Sequence, residues 1–444
     1  MQNCEIFYKI EEREEKEKIY EKSKTAIRQR IYRNGSWDDV AILESKAHNF
    51  KAEKGEEDLV KDALNNPIGG ERLADLAEGK KRITVITSDH TRPVPSAITM
   101  PILLEEIRSK NPDAEITILI ATGFHRPTTH EEMVDKFGKE IVDNEKIIVH
   151  ESGKDEDMVE LDTLPSGGRL LLNKYAIDTD LLVAEGFIEP HFFAGFSGGR
   201  KSVLPGVASE KTVLANHCSK FIASDYSRTG ILDQNPIHKD MEFAAEKAKL
   251  AFILNVVIDA EKKIINAFAG HRVKAHAEGC DFVRSLSTIE GVNADIAVTS
   301  NGGYPLDQNV YQSVKSMTAA EAAAADDGVI IEVSRCNDGH GGESFYQTFK
   351  DAKDPKDIEE RVLQIPMEET IPDQWEIQIL ARILVRHKVI FVTDPENRQL
   401  IEDMHMTYAE TLDEALAMAR EIKGEDAKIA FVPDGVSVIV NKQK

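Results

Sequence analysis

Short apolar, β-branched runs alternate with stretches of helical periodicity along most of this chain, and no other feature restricts its fold so strongly. The runs are Arg82–Thr87, Glu115–Ile120, Lys146–His150 and Leu181–Ala184, closed by the pair Phe252–Ile258 and Ile264–Phe268. A second series begins near Asn293, with Asp295–Thr299, Gly328–Val333, Lys388–Val392 and Lys428–Val432. Helices separate these, the clearest being Gln308–Ala325, Trp375–His387 and Thr411–Lys423. The pattern predicts an α/β fold: two α/β lobes with mainly parallel sheets and an active site in the cleft between them.

Domain boundaries follow from the same reading. Residues 1–25, which contain the run EEREEKEK, form a charged extension read as an exposed helix. Residues 26–272 form the N-terminal α/β domain, 273–292 a helical linker built on Lys274–Leu286, and 293–444 the C-terminal α/β domain. Ile27–Tyr32 and Val40–Ser45 flank Asn34-Gly35, which predicts a hairpin.

Charge and cysteine usage narrow the function class. Lys and Arg number 55 against 78 Asp and Glu, a net charge of −23, and an acidic surface repels phosphate backbones. Nucleic acid is therefore excluded as a partner unless one face is locally basic. Cys4, Cys218, Cys280 and Cys336 form no C-x-x-C pair, so the thiols are read as reduced and the protein as cytoplasmic. No apolar run approaches the roughly eighteen residues of a membrane helix, so no membrane partner is expected. Zincin, EF-hand, nucleophile-elbow and dinucleotide glycine patterns are all missing. An intracellular enzyme is the reading.

Residues able to do chemistry collect just after predicted strands, where open α/β sheets place ligands. Ser88-Asp89-His90-Thr91-Arg92-Pro93 combines Ser, Thr and Arg beside a helix start, suited to phosphate or carboxylate; a helix cap with a surface Arg pair is the other reading. In the loop Ala121 to Glu132, Thr129 with Glu132 reads as a capping box, which leaves His125 ahead of the helix and His130 as a surface residue. The richest loop runs from Glu189 to Ser202, with His191, three Phe residues, Gly195, Gly198, Gly199, Arg200 and Lys201. It resembles a phosphate cradle, but a P-loop needs Gly where Arg200 stands. Its Phe residues suggest an apolar wall around a ligand, or else a core cluster beside a turn. The fourth loop, Ser300 to Pro305, leads into a helix on which Gln312 and Lys315 share a face. His217, in Ala215-Asn216-His217-Cys218, reads from its residues alone as an ordinary buried histidine before a functional one.

These segments match a known pattern. S-D-H-T-R-P-V-P, A-T-G-F-H-R-P-T-T-H-E-E, P-H-F-F-A-G-F-S-G-G-R-K-S-V-L-P-G, A-N-H and Y-Q-S-V-K, in that order from about Asn65 to Met317, resemble the nickel-pincer lactate racemase family. Asn66-Pro67-Ile68-Gly69 fits it too, whereas the charged N-terminus has no place in the pattern. The resemblance implies an isomerase that interconverts L- and D-lactate, or a related 2-hydroxy acid, by proton-coupled hydride transfer. It implies the cofactor nickel(II)-pyridinium-3,5-bisthiocarboxylic acid mononucleotide, supplied by maturation proteins that bind transiently. Carried across, Lys201 tethers that cofactor, His217 ligates nickel, and His125 and His191 are paired general acid/bases. Asp89, His90, Thr91 and Arg92 hold the phosphoribosyl part, with Arg92 also near substrate. Gln312 and Lys315 bind substrate, and Tyr311 lines the pocket.

The chemistry is consistent with such a set. A Cα proton beside a carboxylate is hard to remove, whereas loss of hydride with the hydroxyl proton gives a planar keto acid that can be re-reduced on either face. One base per enantiomer calls for two imidazoles, which titrate near neutrality. Other readings are racemisation of malate, phenyllactate or gluconate, a nickel-free phosphate-binding enzyme, and a cofactor-delivery module that could do without His125 or His191.

Overall fold

The computed structural model describes residues 40–304 and 306–442. They fall into two compact units, one made of Lys46–Ser287 with Pro366–Ile371, the other of residues 288–304, 306–365 and 372–442 with 40–45.

The first unit is built on a six-stranded sheet in the order Ile264–His271, Leu250–Ile258, Leu181–Phe187, Arg82–Ser88, Glu115–Ala121, Lys146–Val149. All neighbours pair in parallel except the edge pair Leu250–Ile258 and Ile264–His271, which is antiparallel. Ile83, Val85, Ile86, Ile118, Leu119 and Val183 are all fully buried, as strands covered on both faces require. Helix Ser96–Lys110 supplies one cover through Met100, Leu103 and Ile107.

Strand order decides where a ligand can sit. From Arg82–Ser88 the chain moves outward to Glu115–Ala121 and Lys146–Val149, then returns to the other side with Leu181–Phe187. The reversal opens a crevice at the carboxyl ends of Arg82–Ser88 and Leu181–Phe187, the topological switch point. Asp89–Arg92 leaves one of these strands and Glu189–Ser202 the other. Beneath them Glu185, 1% exposed, accepts hydrogen bonds from the hydroxyls of Thr87, Thr99 and Ser96, the last at 3.2 Å. These bonds satisfy a buried carboxylate and join both central strands to the start of helix Ser96–Lys110.

The second unit has a six-stranded, wholly parallel sheet: Val40–Ile42, Ile429–Val432, Ala294–Thr299, Ala324–Val333, Lys388–Val392, Thr407–Ala409. Ile296, Val298, Ile331, Ile390 and Phe431 form its core with helix Leu412–Lys423.

Strands and helices lie close to their sequence-read positions, with three differences. Val40–Ile42, read as a hairpin arm, pairs in parallel with Ile429–Val432, a partner the sequence did not indicate. The other arm, Ile27–Tyr32, and the charged extension 1–25 lie outside the described residues. The helix read as a linker, Lys274–Ser287, packs on Leu250–Ile258 and Ile264–His271 through Ala275, Cys280 and Val283, so it is a layer of the first unit. The hairpin Met158–Thr163 with Arg169–Asn173 is an unforeseen addition. An Asn-Gly pair carries only local turn preference, and pairing with a strand near the other chain end leaves no local trace. Among the described residues, no helix is long and apolar enough to cross a membrane.

A chain shortened to begin at Lys46 leaves Ile429–Val432 as an unpaired edge. Hydrogen exchange should then rise in Ile429–Val432 and its neighbour Ala294–Thr299 while Arg82–Ser88 keeps its protection. Equal loss in both sheets would contradict the assignment of Val40–Ile42.

Candidate active site

The register Ser88 opposite Ala121 sets the two following loops side by side, and their side chains meet. Asp89, 1% exposed, places Oδ2 2.7 Å from His125 Nδ1, while Oδ1 accepts the Thr91 amide at 3.1 Å and the Thr91 hydroxyl at 2.7 Å. Burial pushes the Asp89 carboxyl up, but the His125 hydrogen bond and charge, Thr91 and Arg92 outweigh it and hold the group below its usual range. An anionic Asp89 keeps the proton on His125 Nδ1 and turns Nε2 outward as the basic nitrogen. Both Asp89 oxygens are thus engaged, so this residue shapes the loop and orients His125. His90 is directed elsewhere: Nδ1 lies 3.1 Å from Thr128 Oγ1 and 3.7 Å from Glu132. The expected capping box of Thr129 and Glu132 is present.

The loop after Leu181–Phe187 folds on its own backbone. Ser197 Oγ donates to Phe187 O at 3.0 Å and accepts from the Glu189 amide at 2.9 Å. Gly198 has φ +73°, and a Cβ there would stand 2.8 Å from Phe187 O, so both conformation and space demand glycine. Arg200 turns inward. At 1% exposure its guanidinium donates to Ala194 O at 2.7 Å, Phe196 O at 2.8 Å and His238 Nδ1 at 3.0 Å. The phosphate-cradle pattern therefore has another origin: the Gly198 turn and Arg200 set the shape of the loop.

Lys201 points the other way. Its Nζ lies 3.2 Å from His191 Nε2 and 5.7 Å from the centre of the Phe193 ring. The amides of Ala194 and Phe193 donate to His191 Nδ1 at 3.2 and 3.5 Å and set the ring's direction. Phe193 also packs edge-on against His191 at 4.6 Å and His217 at 5.2 Å. His217 ends helix Glu210–Asn216, which Ser209 caps, and its Nδ1 donates to Val213 O at 3.0 Å. That bond makes Nε2 the lone-pair nitrogen. Burial first, then the charge of Lys201, lower His217 to about 3, so the ring is neutral at physiological pH. The Gly123 amide donates to Gly206 O at 3.1 Å, and the Gly206 amide to Lys201 O at 3.1 Å. A backbone bridge thus joins the His125 loop to the Lys201 loop.

In the second unit, Asn309 caps helix Val310–Ala323 by accepting the Gln312 amide at 2.9 Å. Gln312 and Lys315 share a face as expected, with Nζ donating to Oε1 at 2.6 Å. The Tyr311 hydroxyl donates to Asp373 at 3.0 Å and accepts from Trp375 Nε1 at 3.2 Å. Burial raises Tyr311 well above its ordinary value, so it is a neutral donor.

Among the described residues, no three His, Cys, Asp or Glu side chains gather as a metal-holding group. Cys218, Cys280 and Cys336 are buried free thiols. Sequence reasoning missed Asp89 as the orienting partner of His125, Arg200 as the loop's anchor, and the group Asp373, Trp375 and Glu376. One signal was available for the last: Gln374, Glu376 and Gln378 interrupt the otherwise mainly apolar first turns of helix Gln374–Arg386.

Comparison with known proteins gives one result for both units. The family model described as Lactate racemase N-terminal domain matches residues 35–230, and that described as Lactate racemase C-terminal domain matches 289–440. Lactate racemase of Thermoanaerobacterium thermosaccharolyticum is 62% identical over 402 residues, 90% of this chain and 94% of the relative. Lactate racemase of Lactiplantibacillus plantarum is 56% identical over 398 residues, again 90% and 94%. The structure of the lactate racemase apoprotein from T. thermosaccharolyticum superposes with a TM-score of 0.88 at 62% identity, covering 90% of this chain and 94% of that one.

Replacing Arg200 by Met strands the carbonyls of Ala194 and Phe196 in the interior. Unsatisfied buried groups cost about 1–3 kcal/mol each, so stability should fall by about 3 kcal/mol. Calorimetric melting measures it; an unchanged midpoint would show that Arg200 does not anchor the loop.

Proposed function

This chain belongs to the lactate racemase family, and from that premise we propose that it interconverts L- and D-lactate as a nickel-dependent isomerase. The observation that carries this reading is the grouping of His191, Lys201 and His217 around Phe193, bridged through Gly206 to the loop of His125.

The donor set suits nickel(II)-pyridinium-3,5-bisthiocarboxylic acid mononucleotide. His217 offers a single neutral imidazole, and among the described residues no group of three His, Cys, Asp or Glu gathers as a metal site; the other donors would come from the group itself, and sulfur suits nickel. Lys201, beside His217, would tether it; Thr91 and Arg92 would meet its nucleotide end. When bound, this group supplies the two-electron acceptor for the substrate's Cα hydrogen. The protein's part is proton handling. His125, held through Nδ1 by Asp89, takes the hydroxyl proton of one enantiomer at Nε2 and returns it. His191, whose ring direction is set by the amides of Ala194 and Phe193, would be the general acid/base for the other enantiomer. On the second unit, Lys315 and Gln312, beside Tyr311, would supply a cation and a donor for the substrate carboxylate. Maturation proteins would load the cofactor, and the free thiols favour a cytoplasmic location.

His125→Ala and His191→Ala should each lower racemisation at least about 100-fold, the usual worth of a general base, and keep nickel. His217→Ala should lose nickel. Chiral chromatography of single-enantiomer lactate, malate, phenyllactate and gluconate, with elemental analysis of protein co-expressed with maturation partners, provides the check. Full activity in either of the first two variants would refute the two-base scheme, and turnover of another acid alone would move the substrate.

A further inference from the structure

Helix Gln374–Arg386 is buried on every side over its first turns and carries polar side chains into that interior. Arg382 is matched by Glu321, at 2.6 Å. Glu376 is not matched: it is fully buried, and neither carboxylate oxygen accepts a hydrogen bond. Such a carboxylate is a strongly unfavourable anion unless a cation faces it. The cation is on the neighbouring helix, Val310–Ala323. The hydroxyl of Tyr311 is held between Asp373 and Trp375, which flank the start of the Glu376 helix, and Lys315 lies one turn beyond Tyr311 on the same face. The ionisable groups acting on Glu376 are Lys315 on that helix and Asp373 ahead of its own, with Tyr311 a neutral phenol beside them.

We propose that Glu376 is a positioning residue for Lys315: ionised, it draws the ammonium to itself, and protonated, it leaves the ammonium to the carboxylate of an incoming 2-hydroxy acid. Where Glu376 is ionised in the free protein, binding of substrate then takes up one proton from solvent onto it. The inference rests on the proposed reading of Lys315 as a carboxylate anchor. Burial, the largest influence, raises the Glu376 carboxyl to about 8 against the pull of Lys315. Below that value Glu376 is neutral and Lys315 is available to substrate. Above it, the Glu376 anion competes for the same ammonium, so the KM for lactate rises with pH. One group titrating near 8 gives roughly a tenfold rise between pH 7 and pH 9. Glu376 touches no reacting atom, so kcat should follow a different profile.

The test measures KM and kcat for L-lactate from pH 6.5 to 9.5 on holoenzyme loaded by co-expressed maturation proteins. Wild type should show the tenfold rise in KM, and Glu376→Gln, which cannot ionise, should flatten it. Calorimetric titration of wild type with racemic lactate at pH 9, in two buffers of different ionisation enthalpy, should register about one proton taken up per site; it decides the matter alone if Glu376→Gln fails to fold. A flat wild-type KM, a rise that survives in Glu376→Gln, or the absence of proton uptake overturns the proposal. Lys315→Met separates the two readings. If it keeps the wild-type KM, the carboxylate anchor fails and this inference with it. If it raises KM while Glu376→Gln keeps the pH-dependent rise, the anchor stands and Glu376 alone is excluded.

Discussion

A guanidinium almost without solvent contact underlies the loop from Glu189 to Ser202. Arg200 spends its N–H groups on the carbonyls of Ala194 and Phe196 and on His238, and so pins the segment leading to Lys201. With Arg200 turned in, the next residue turns out, and Lys201 meets His191 and Phe193. A buried cation is costly unless its donors are satisfied. Here the cost is offset by donors that each meet an oxygen or a nitrogen, and the result is a loop with little freedom to misplace its lysine.

Around that loop, charge is distributed by burial. Asp89 is buried yet anionic because His125, Thr91 and Arg92 face it, whereas His217 is neutral chiefly because burial disfavours its charged form, with the charge of Lys201 acting in the same direction. One environment gives a histidine whose outward nitrogen can accept a proton, the other a histidine whose lone pair suits a metal. Residue type is the same; the difference lies in the neighbours and in which nitrogen the backbone or carboxylate holds. In the second unit the same logic yields a neutral Tyr311 and a Glu376 carboxyl that burial pushes well up.

The strands Arg82–Ser88, Leu181–Phe187 and Lys388–Val392 were legible because parallel strands buried on both faces must be written as apolar, β-branched runs. The loops were legible too, since strand order in an α/β sheet gathers them at the carboxyl ends, and the family motifs named their residues in sequence. Partnerships were not. The Asp89–His125 pair depends on the register of Ser88 opposite Ala121, and a polar run after a strand does not say which neighbouring loop it will face. The pairing of Val40–Ile42 with Ile429–Val432 was hidden for the same reason: local turn preference is visible in sequence, and pairing between distant segments is not.

What the chain alone determined is therefore its class, its alternation of strands and helices, and the identity of the chemically able residues, all of which rest on periodicity and side-chain type. What only the tertiary structure decided is direction and state: that Arg200 faces in and Lys201 out, that Asp89 orients His125, that His217 presents Nε2, and that Glu376 lies buried beside Lys315. Those depend on burial and on contacts between segments distant in sequence, because the free energy of a charge is set by what surrounds it in space.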